Sequence, residues 1–317
     1  MTAGPVIGVL GATGAVGSAL LGMLSGHAVR PGTRADFADL RHWATGCTVV
    51  VNCTGVPVAD RIHNAGADYV DPAARPGDLA ARPGDLAARP GDLAARPGDL
   101  AARPSDPAAR PGDPVARLVR PAARPGGPAG PGRDERIAVY DAGAMPGAAG
   151  LLPRYLAADR GVRPARLSVT AGGLYRFTPA AAREFLATTD GWREQAARVD
   201  RALGLIGSDW STRFDGDCVR RLLRDSVPPT VEQLLAAAAA DTAGRTEYLV
   251  ITAELTDVDG TVHRARLRAG PDLTATIAAT TALAVLHGEI PPGSHSADDV
   301  LDPLRVIPPL LGEEGTL

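Results

Sequence analysis

The sequence of 317 residues contains no lysine, so all 33 of its basic residues are arginine. This absence excludes mechanisms that need a lysine amine, because a guanidinium stays protonated and forms no imine. Schiff-base enzymes, phosphate loops that end in Lys-Ser or Lys-Thr, and reductases with a Tyr/Lys proton relay are therefore excluded. The formal net charge of −3 gives no electrostatic reason to expect nucleic acid or an anionic membrane surface as a partner.

Cysteine is scarce, and long apolar runs are missing. Cys47, Cys53 and Cys218 stand in no CxxC or Cys/His spacing, so we predict neither a disulfide framework nor a structural zinc site, and we assign no metal. No apolar run reaches the roughly 18 residues of a membrane-spanning helix, and the first residues lack the basic region of an export signal. These absences predict a cytoplasmic protein with no membrane partner.

The first residues carry a pattern that is typical of dinucleotide binding. A short apolar strand, Val6 to Leu10, leads into Gly11, Gly14 and Gly17, and helical apolar spacing follows over residues 18–24. The glycines allow a tight turn, close approach of a pyrophosphate to the backbone, and close packing of helix on strand. A plain glycine-rich turn has the same spacing and is the alternative. The predicted cofactor-binding residues of this loop are Gly11, Ala12, Thr13, Gly14, Ala15, Val16 and Gly17.

The region after the second predicted strand favours NADPH over NADH. Folds that bind NAD place an acidic residue about 20 residues after the loop, whereas this chain has Arg30 and Arg34 there. A guanidinium matches a 2′-phosphate, although Asp36 is close enough to keep NADH open and Arg34 is alternatively a solvated loop residue. Residues 34–48 are also too few for a complete strand and helix. We therefore expect one element of the sheet to be missing or compressed.

Continuous apolar runs predict further strands of a parallel sheet that is buried on both faces. The first run is Thr48 to Cys53, and Asp68 to Asp71 and Ile137 to Asp141 follow it. The later part of the chain has an α+β pattern, with a hairpin predicted from residues 247–255 and 262–268. The expected fold class is therefore α/β, a Rossmann-type parallel sheet domain followed by an α+β substrate and dimerisation domain.

The chain divides into three segments by composition. The predicted Rossmann domain comprises residues 1–74 and 131–160, and the predicted α+β domain comprises residues 161–317. Residues 75–130, which separate the two parts of the Rossmann domain, form an insertion rich in Pro and Gly, built on the heptad Arg-Pro-Gly-Asp-Leu-Ala-Ala. A seven-residue period is typical of coiled coils, but a Pro-Gly pair in every period breaks a helix. We therefore expect a disordered or loosely turned connection rather than a functional module.

Six motifs, in this order, resemble the saccharopine dehydrogenase-like reductases. They are GVLGATGAVG (8–17), VVVNCTG (49–55), AGADYVDPA (65–73), DAGAMPGAAGLLPRYLA (141–157), VTAGGLYRFTPA (169–180) and TATIAATTALAVLHGEIPPG (274–293). The resemblance implies a Rossmann domain joined to an α+β domain whose sheet lines the substrate cleft and often forms a homodimer. It also implies that the last helix packs back on the Rossmann half. The implied activity is NADPH-dependent reduction of a C=N bond, or in some relatives of an activated C=C bond.

The resemblance also assigns site residues. Cofactor contacts are implied at Asn52, Cys53, Thr54, Gly55, Gly143 and Met145. Substrate contacts are implied at Gly172, Gly173 and Arg176. The implied catalytic residues are Tyr69, Asp71 and Tyr175. Asp71 is equally well read as the turn former of an Asp-Pro pair, and Tyr175 with Arg176 as a surface pair at a strand end.

Met145 marks one departure from the family pattern. Saccharopine-forming members tend to carry an acidic residue in this turn, so a substrate held by its ammonium group is disfavoured here. The prediction is therefore reduction of a less polar or cyclic imine, as a small molecule or bound to a carrier, in specialised metabolism. Two alternatives stay open: an enoyl reductase acting in trans on a C=C bond, and a non-catalytic NADP-binding sensor.

Overall fold

The computed structural model describes residues 4–73, 136–187, 191–225 and 227–311. The repeat insertion predicted at residues 75–130 lies outside the described residues. The strands, in chain order, are β1 (Val6–Leu10), β2 (Ala28–Gly32), β3 (Val49–Asn52), β4 (Asp68–Val70), β5 (Ile137–Tyr140), β6 (Pro164–Leu174), β7 (Asp209–Phe214), β8 (Tyr248–Asp257), β9 (Val262–Ala269) and β10 (Gly293–Ser296).

Helices connect and cover these strands. They are α1 (Ala15–Met23), α2 (Leu40–Ala44), α3 (Ala59–His63), α4 (Ala148–Arg160), α5 (Pro179–Ala187), α6 (Gly191–Leu203), α7 (Asp217–Arg224), α8 (Val231–Thr242), α9 (Pro271–Leu286), α10 (Ala297–Val300) and α11 (Pro303–Val306). Short 3-10 turns lie at Arg34–Phe37 and Pro308–Leu310.

The first sheet is parallel, and its strand order in the described part of the chain is β10-β5-β4-β3-β1-β2. Val49, Val50 and Val51 of β3 are fully buried because helices cover both faces of the sheet. On one face, α9 packs along α1. The α/β fold class with a Rossmann-type sheet is confirmed.

The outer edge of this sheet is β2, so the strand that would follow it in a full Rossmann half is missing from the described residues. Trp43 closes the edge instead. Its ring lies so close to Gly32 that a Cβ there would approach its Cζ2 to 2.5 Å, and its Nε1 donates to Pro31 O at 3.4 Å. The guanidinium of Arg30 donates to the carbonyls of Trp43 and Thr45, at 2.6 and 2.7 Å. The predicted compression of this region is confirmed.

The second sheet is mixed, with the order β7-β6-β8-β9. Strands β6 and β7 are parallel, and β6, β8 and β9 are antiparallel, as expected for the predicted hairpin. Leu167, Val169 and Ala171 of β6 alternate towards the buried face, against which α4 packs. Beyond the end of β6, helices α5 and α8 pack on each other around Phe214.

The end of the chain returns to the first sheet. Gly293 pairs with Ile137, and Ser296 pairs with Tyr140, so β10 is a parallel edge strand beside β5. The predicted boundaries place residues 161–317 together in the second domain, whereas the structure places 293–296 in the first sheet. The run Gly-Ser-His-Ser has no apolar pattern from which a strand could be predicted. None of the described helices is long and apolar enough to cross a bilayer.

Candidate functional site

The carboxyl ends of β1, β3, β4 and β5 meet at one edge of the first sheet, because the strands are parallel. Open α/β sheets bind their ligands at this edge. The loop between β1 and α1 is open to the surface there, with Thr13, Gly14 and Ala15 exposed. Gly14 is the N-cap of α1 and offers no capping side chain, so the first N–H groups of the helix have no side-chain partner from it. The predicted loop thus presents an exposed backbone with no capping side chain from Gly14 at this edge of the sheet.

Gly17 holds this loop against the helix. A Cβ at Gly17 would lie 2.9 Å from the Cα of Ala12 and closer still to the carbonyl oxygen of Gly11. Gly11 has a φ of 82°, and the N–H groups of Gly11 and Ala12 both donate to Gly32 O, at 3.0 and 3.1 Å. The loop is therefore fixed by backbone contacts on the side away from solvent. This leaves the Gly14 side for a ligand.

The segment after β3, which includes the predicted cofactor residues 52–55, lies directly beside the glycine loop. The N–H of Cys53 donates to Leu10 O at 2.9 Å, and a Cβ on Gly11 would meet Thr54 Cγ2 at 3.0 Å. Thr54 Oγ1 donates to Asn52 Oδ1 at 2.6 Å, which fixes its methyl group towards the loop. Burial raises the pKa of Cys53 to about 12, so its thiol stays protonated and is no nucleophile.

Asn52, Tyr69 and Asp71 form a buried hydrogen-bonded group beneath this edge. The Nδ2 of Asn52 lies 2.8 Å from Tyr69 Oη and 2.9 Å from Asp71 Oδ2, and the Tyr69 hydroxyl donates to Asp71 Oδ2. Asp71 Oδ1 accepts from the N–H of Ala73 at 2.9 Å. The structure thus brings together a predicted cofactor residue, Asn52, and two predicted catalytic residues. Asp71 is both an Asp-Pro turn residue and a member of this group.

Burial controls the protonation of this group. It raises the pKa of Asp71, against the hydrogen bonds from Tyr69, Ala73 and Asn52 that favour the carboxylate. It also raises the pKa of Tyr69, with the charge of Asp71 as the second cause. Tyr69 is fully buried, so its hydroxyl group is hydrogen-bonded to Asp71 and Asn52 rather than to solvent. Tyr69 is among the predicted catalytic residues, and the structure places its hydroxyl group against Asp71.

Arg34 lies at the end of β2, where a Rossmann cofactor places its adenosine ribose. It begins the 3-10 turn, and its side chain is exposed. The nearby carboxylate of Asp36 accepts from both N–H and Oγ1 of Thr33, at 2.6 and 2.9 Å. The hydrogen bond from the Thr33 N–H is the main cause of the lowered pKa of Asp36. Asp36 thus caps the 3-10 turn in which it lies, and the side chain of Arg34 is exposed to solvent.

The turn after β5 lies beside the segment after β4. A Cβ on Gly143 would approach Pro72 O to 2.6 Å, so these two segments are in close backbone contact. Met145 is half-buried and packs against the main core, and the preceding Ala144 N–H donates to Thr274 Oγ1 at 3.3 Å. The turn therefore lies at the same edge of the sheet as the segment after β4, beside the beginning of α9.

Two residues that contact this turn, Arg198 and Gln195, are absent from the predicted site residues. Both belong to α6, in the region of the chain that the motif resemblance does not cover. Arg198 lies 2.7 Å from Asp141 at the beginning of the turn. Only an amphipathic helix could be read from this region, because the partners of Arg198 are more than fifty residues away in the sequence.

The residues implied for substrate contact lie at the end of β6. Gly173 packs against the backbone of Tyr248, next to Gly172. Tyr175 packs on Phe177, with ring centroids 5.1 Å apart, and burial raises the pKa of its hydroxyl. Arg176 donates from Nε to Thr242 Oγ1 at 2.9 Å and lies 3.1 Å from Glu247 Oε1. These residues form a second group, held by contacts within the second half of the chain.

Comparisons with known proteins gave matches among solved structures. No family model and no curated protein sequence matches the chain. The chain is similar to the apo form of saccharopine dehydrogenase (L-Glu forming) from Saccharomyces cerevisiae, at 11% identity and a TM-score of 0.48, over 95% of this chain and 96% of that chain. It is also similar to a mutant meso-diaminopimelate dehydrogenase with DAP from Clostridium tetani E88, at 10% identity and a TM-score of 0.43, over 93% and 94%.

Proposed function

We propose that the chain is an NADPH-dependent reductase of a C=N bond in a small molecule or a carrier-bound substrate. The observation that carries this proposal is the glycine loop 11–17, which is exposed at Thr13, Gly14 and Ala15; there the lack of a side chain on Gly14 and the first N–H groups of α1 suit a diphosphate. The choice of a C=N bond rests on the motif resemblance described above. Bound NADPH would supply the hydride for the reduction.

Arg34 supports NADPH over NADH. Its exposed side chain at the end of β2 suits a 2′-phosphate, which a guanidinium binds through paired, charge-assisted hydrogen bonds. Asp36 is engaged with Thr33, so its carboxylate has less capacity to accept from the 2′-hydroxyl of NADH. The loop of Asn52, Cys53, Thr54 and Gly55 would form the wall on the other side of the cofactor.

Reduction of an imine adds a hydride to carbon and requires a proton on nitrogen, so a proton-bearing group must stand near that nitrogen. Asp71 and Tyr175 are the proposed candidates. Burial raises the pKa of Asp71, which favours the form of its carboxyl group that carries a proton. The Tyr175 hydroxyl carries its proton at neutral pH already at the ordinary tyrosine pKa of about 10. Tyr69 would act through Asp71, by fixing the orientation of its carboxyl group. The proposed substrate contacts are Gly172, Gly173 and Arg176.

Titration with NADPH and with NADH, followed by cofactor fluorescence, tests the cofactor assignment. We expect NADPH to bind at least about tenfold more tightly, which is the contribution of roughly one charge-assisted hydrogen bond. Arg34→Glu should abolish this preference, whereas the matched control Arg163→Glu, at an exposed arginine before β6, should keep it. Equal affinity of the wild type for both cofactors would contradict the NADPH assignment. If the wild type binds neither cofactor, the proposed reductase function is contradicted.

Turnover on two substrate panels tests the reaction. Purified protein with NADPH should reduce members of a panel of cyclic imines and leave a matched panel of enones unchanged, as measured by NADPH absorbance. Reduction of enones alone would support the enoyl reductase alternative. Tight NADPH binding without turnover on either panel would support the non-catalytic sensor. The compressed sheet, which ends at β2, is the observation that motivates this alternative.

A further inference from the structure

Helix α6 contacts the turn of residues 141–147 at the beginning and at the end of the turn. At the beginning, Arg198 Nη2 lies 2.7 Å from Asp141 Oδ2. At the end, the side-chain amide of Gln195 faces the N–H groups of Gly147 and Gly150; with its oxygen oriented towards them, the amide accepts from both, at 3.0 and 3.2 Å. Gln195 and Arg198 are three residues apart, so they lie on the same face of α6.

Arg198 also joins the ends of two strands of the first sheet. Its Nη2 lies 3.3 Å from Asp298 Oδ1, just beyond β10, as well as beside Asp141, just beyond β5. The side chains of Arg198, Asp141 and Asp298 are 13%, 3% and 1% exposed. Buried ion pairs of this kind hold a fixed arrangement, because removal of one partner leaves an uncompensated buried charge.

Asp141 needs such a support. Its φ of 57° is in the left-handed region, which a residue with a Cβ seldom adopts. Its N–H donates to Ala73 O at 3.0 Å, and the N–H of Ala142 donates to Asp71 O at 3.0 Å, so the beginning of the turn is tied to the segment after β4. The ion pair with Arg198 holds the side chain of Asp141, in addition to these backbone hydrogen bonds. The position of the turn thus depends on a helix that follows β6 in the chain.

We propose that Arg198 and Gln195 are positioning residues for the nicotinamide end of the cofactor, which they set through the turn of residues 141–147. The inference rests on the proposed function, because it needs a dinucleotide on the glycine loop. It goes further by making α6 the element that couples the second half of the chain to the place of hydride transfer. The adenosine end, at Arg34 and Gly14, lies on other elements, whereas α6 packs mainly on α4 and β7.

A comparison of two ligands tests this division. NADPH probes both ends of the site, whereas 2′,5′-ADP probes the adenosine end alone. For Arg198→Met, and for Gln195→Leu, which removes no charge, we expect the Kd for NADPH to rise about tenfold and the emission of the bound nicotinamide to shift towards that of free NADPH. The Kd for 2′,5′-ADP should stay within about twofold of the wild type. Arg198→Lys, which keeps the cation, should restore part of the NADPH affinity.

The matched control is Arg201→Met, at an exposed arginine one turn further along α6, which should change neither Kd. Unchanged NADPH affinity and emission in folded Gln195→Leu would overturn the inference, and so would an equal loss of affinity for 2′,5′-ADP, which indicates a general structural effect. Should Arg198→Met fail to fold, Gln195→Leu carries the test. Wild-type protein that binds neither ligand would refute the proposed function itself, and the positioning role with it.

Discussion

Two glycine substitutions in the same loop should separate the stability of the fold from binding of the cofactor. In Gly17→Ala, the new methyl group would stand 2.9 Å from Ala12 Cα and nearer to Gly11 O, and both neighbours are backbone that no rotamer change can move. Carbon atoms in good contact are about 3.5–4.0 Å apart, so β1 and α1 must separate by at least about half an ångström. In Gly14→Ala, the nearest atom is Gly11 O at 3.4 Å, an ordinary contact.

The expected free energies follow from these contacts. Overpacking against backbone should cost Gly17→Ala about 2–3 kcal/mol. Alanine in a helix gives back roughly 0.5–1 kcal/mol, so the net loss of unfolding free energy should be about 2 kcal/mol. Gly14→Ala changes only the residue at the N-cap and should lose about 0.5 kcal/mol. Urea unfolding, followed by far-UV circular dichroism, measures both losses.

NADPH binding should be weakened by Gly14→Ala, the variant that changes stability least. Gly14→Ala should keep the fold and still weaken NADPH binding about tenfold or more, because its methyl group occupies the position where the diphosphate approaches the backbone. Gly14→Asp should abolish binding, since it adds a negative charge there. Wild-type affinity in Gly14→Ala would refute the diphosphate seat. Wild-type stability in Gly17→Ala would refute the close packing of α1 on β1.

Two further predictions concern the edge strand and the buried carboxyl group. Trp43→Ala removes the ring that covers Gly32 and should lower the unfolding free energy by about 3–5 kcal/mol in urea titrations; a loss below about 1 kcal/mol would show that the ring does not close the β2 edge. Because burial raises the pKa of Asp71 above the unfolded value of about 3.9, its contribution to stability is present below about pH 4 and is lost as the pH rises through the folded pKa. Asp71→Asn should therefore make the fall of unfolding free energy above about pH 4 shallower, and an unchanged slope would contradict the raised pKa.

Most of the first sheet and its glycine loop were predicted from the sequence because their signals are local. The apolar run from Thr48 to Cys53 predicts a strand that is buried on both faces, and the structure has β3 there. The spacing of Gly11, Gly14 and Gly17 predicts a loop between strand and helix, and the structure has it between β1 and α1. The shortness of residues 34–48 predicts a compressed sheet. Homodimer formation and the choice between C=N and C=C reduction stay predictions.

The sequence by itself therefore determined where the apolar strands of the first sheet, the glycine loop and the compressed edge occur, since each depends on residues close together in the chain. The tertiary structure alone decided which distant segments meet. The Tyr69 hydroxyl group donates to Asp71, β10 pairs with β5 in the first sheet, and Arg198 forms an ion pair with Asp141. The physical reason is that burial and hydrogen bonding between distant residues follow from packing, and such contacts leave no period or spacing in the sequence.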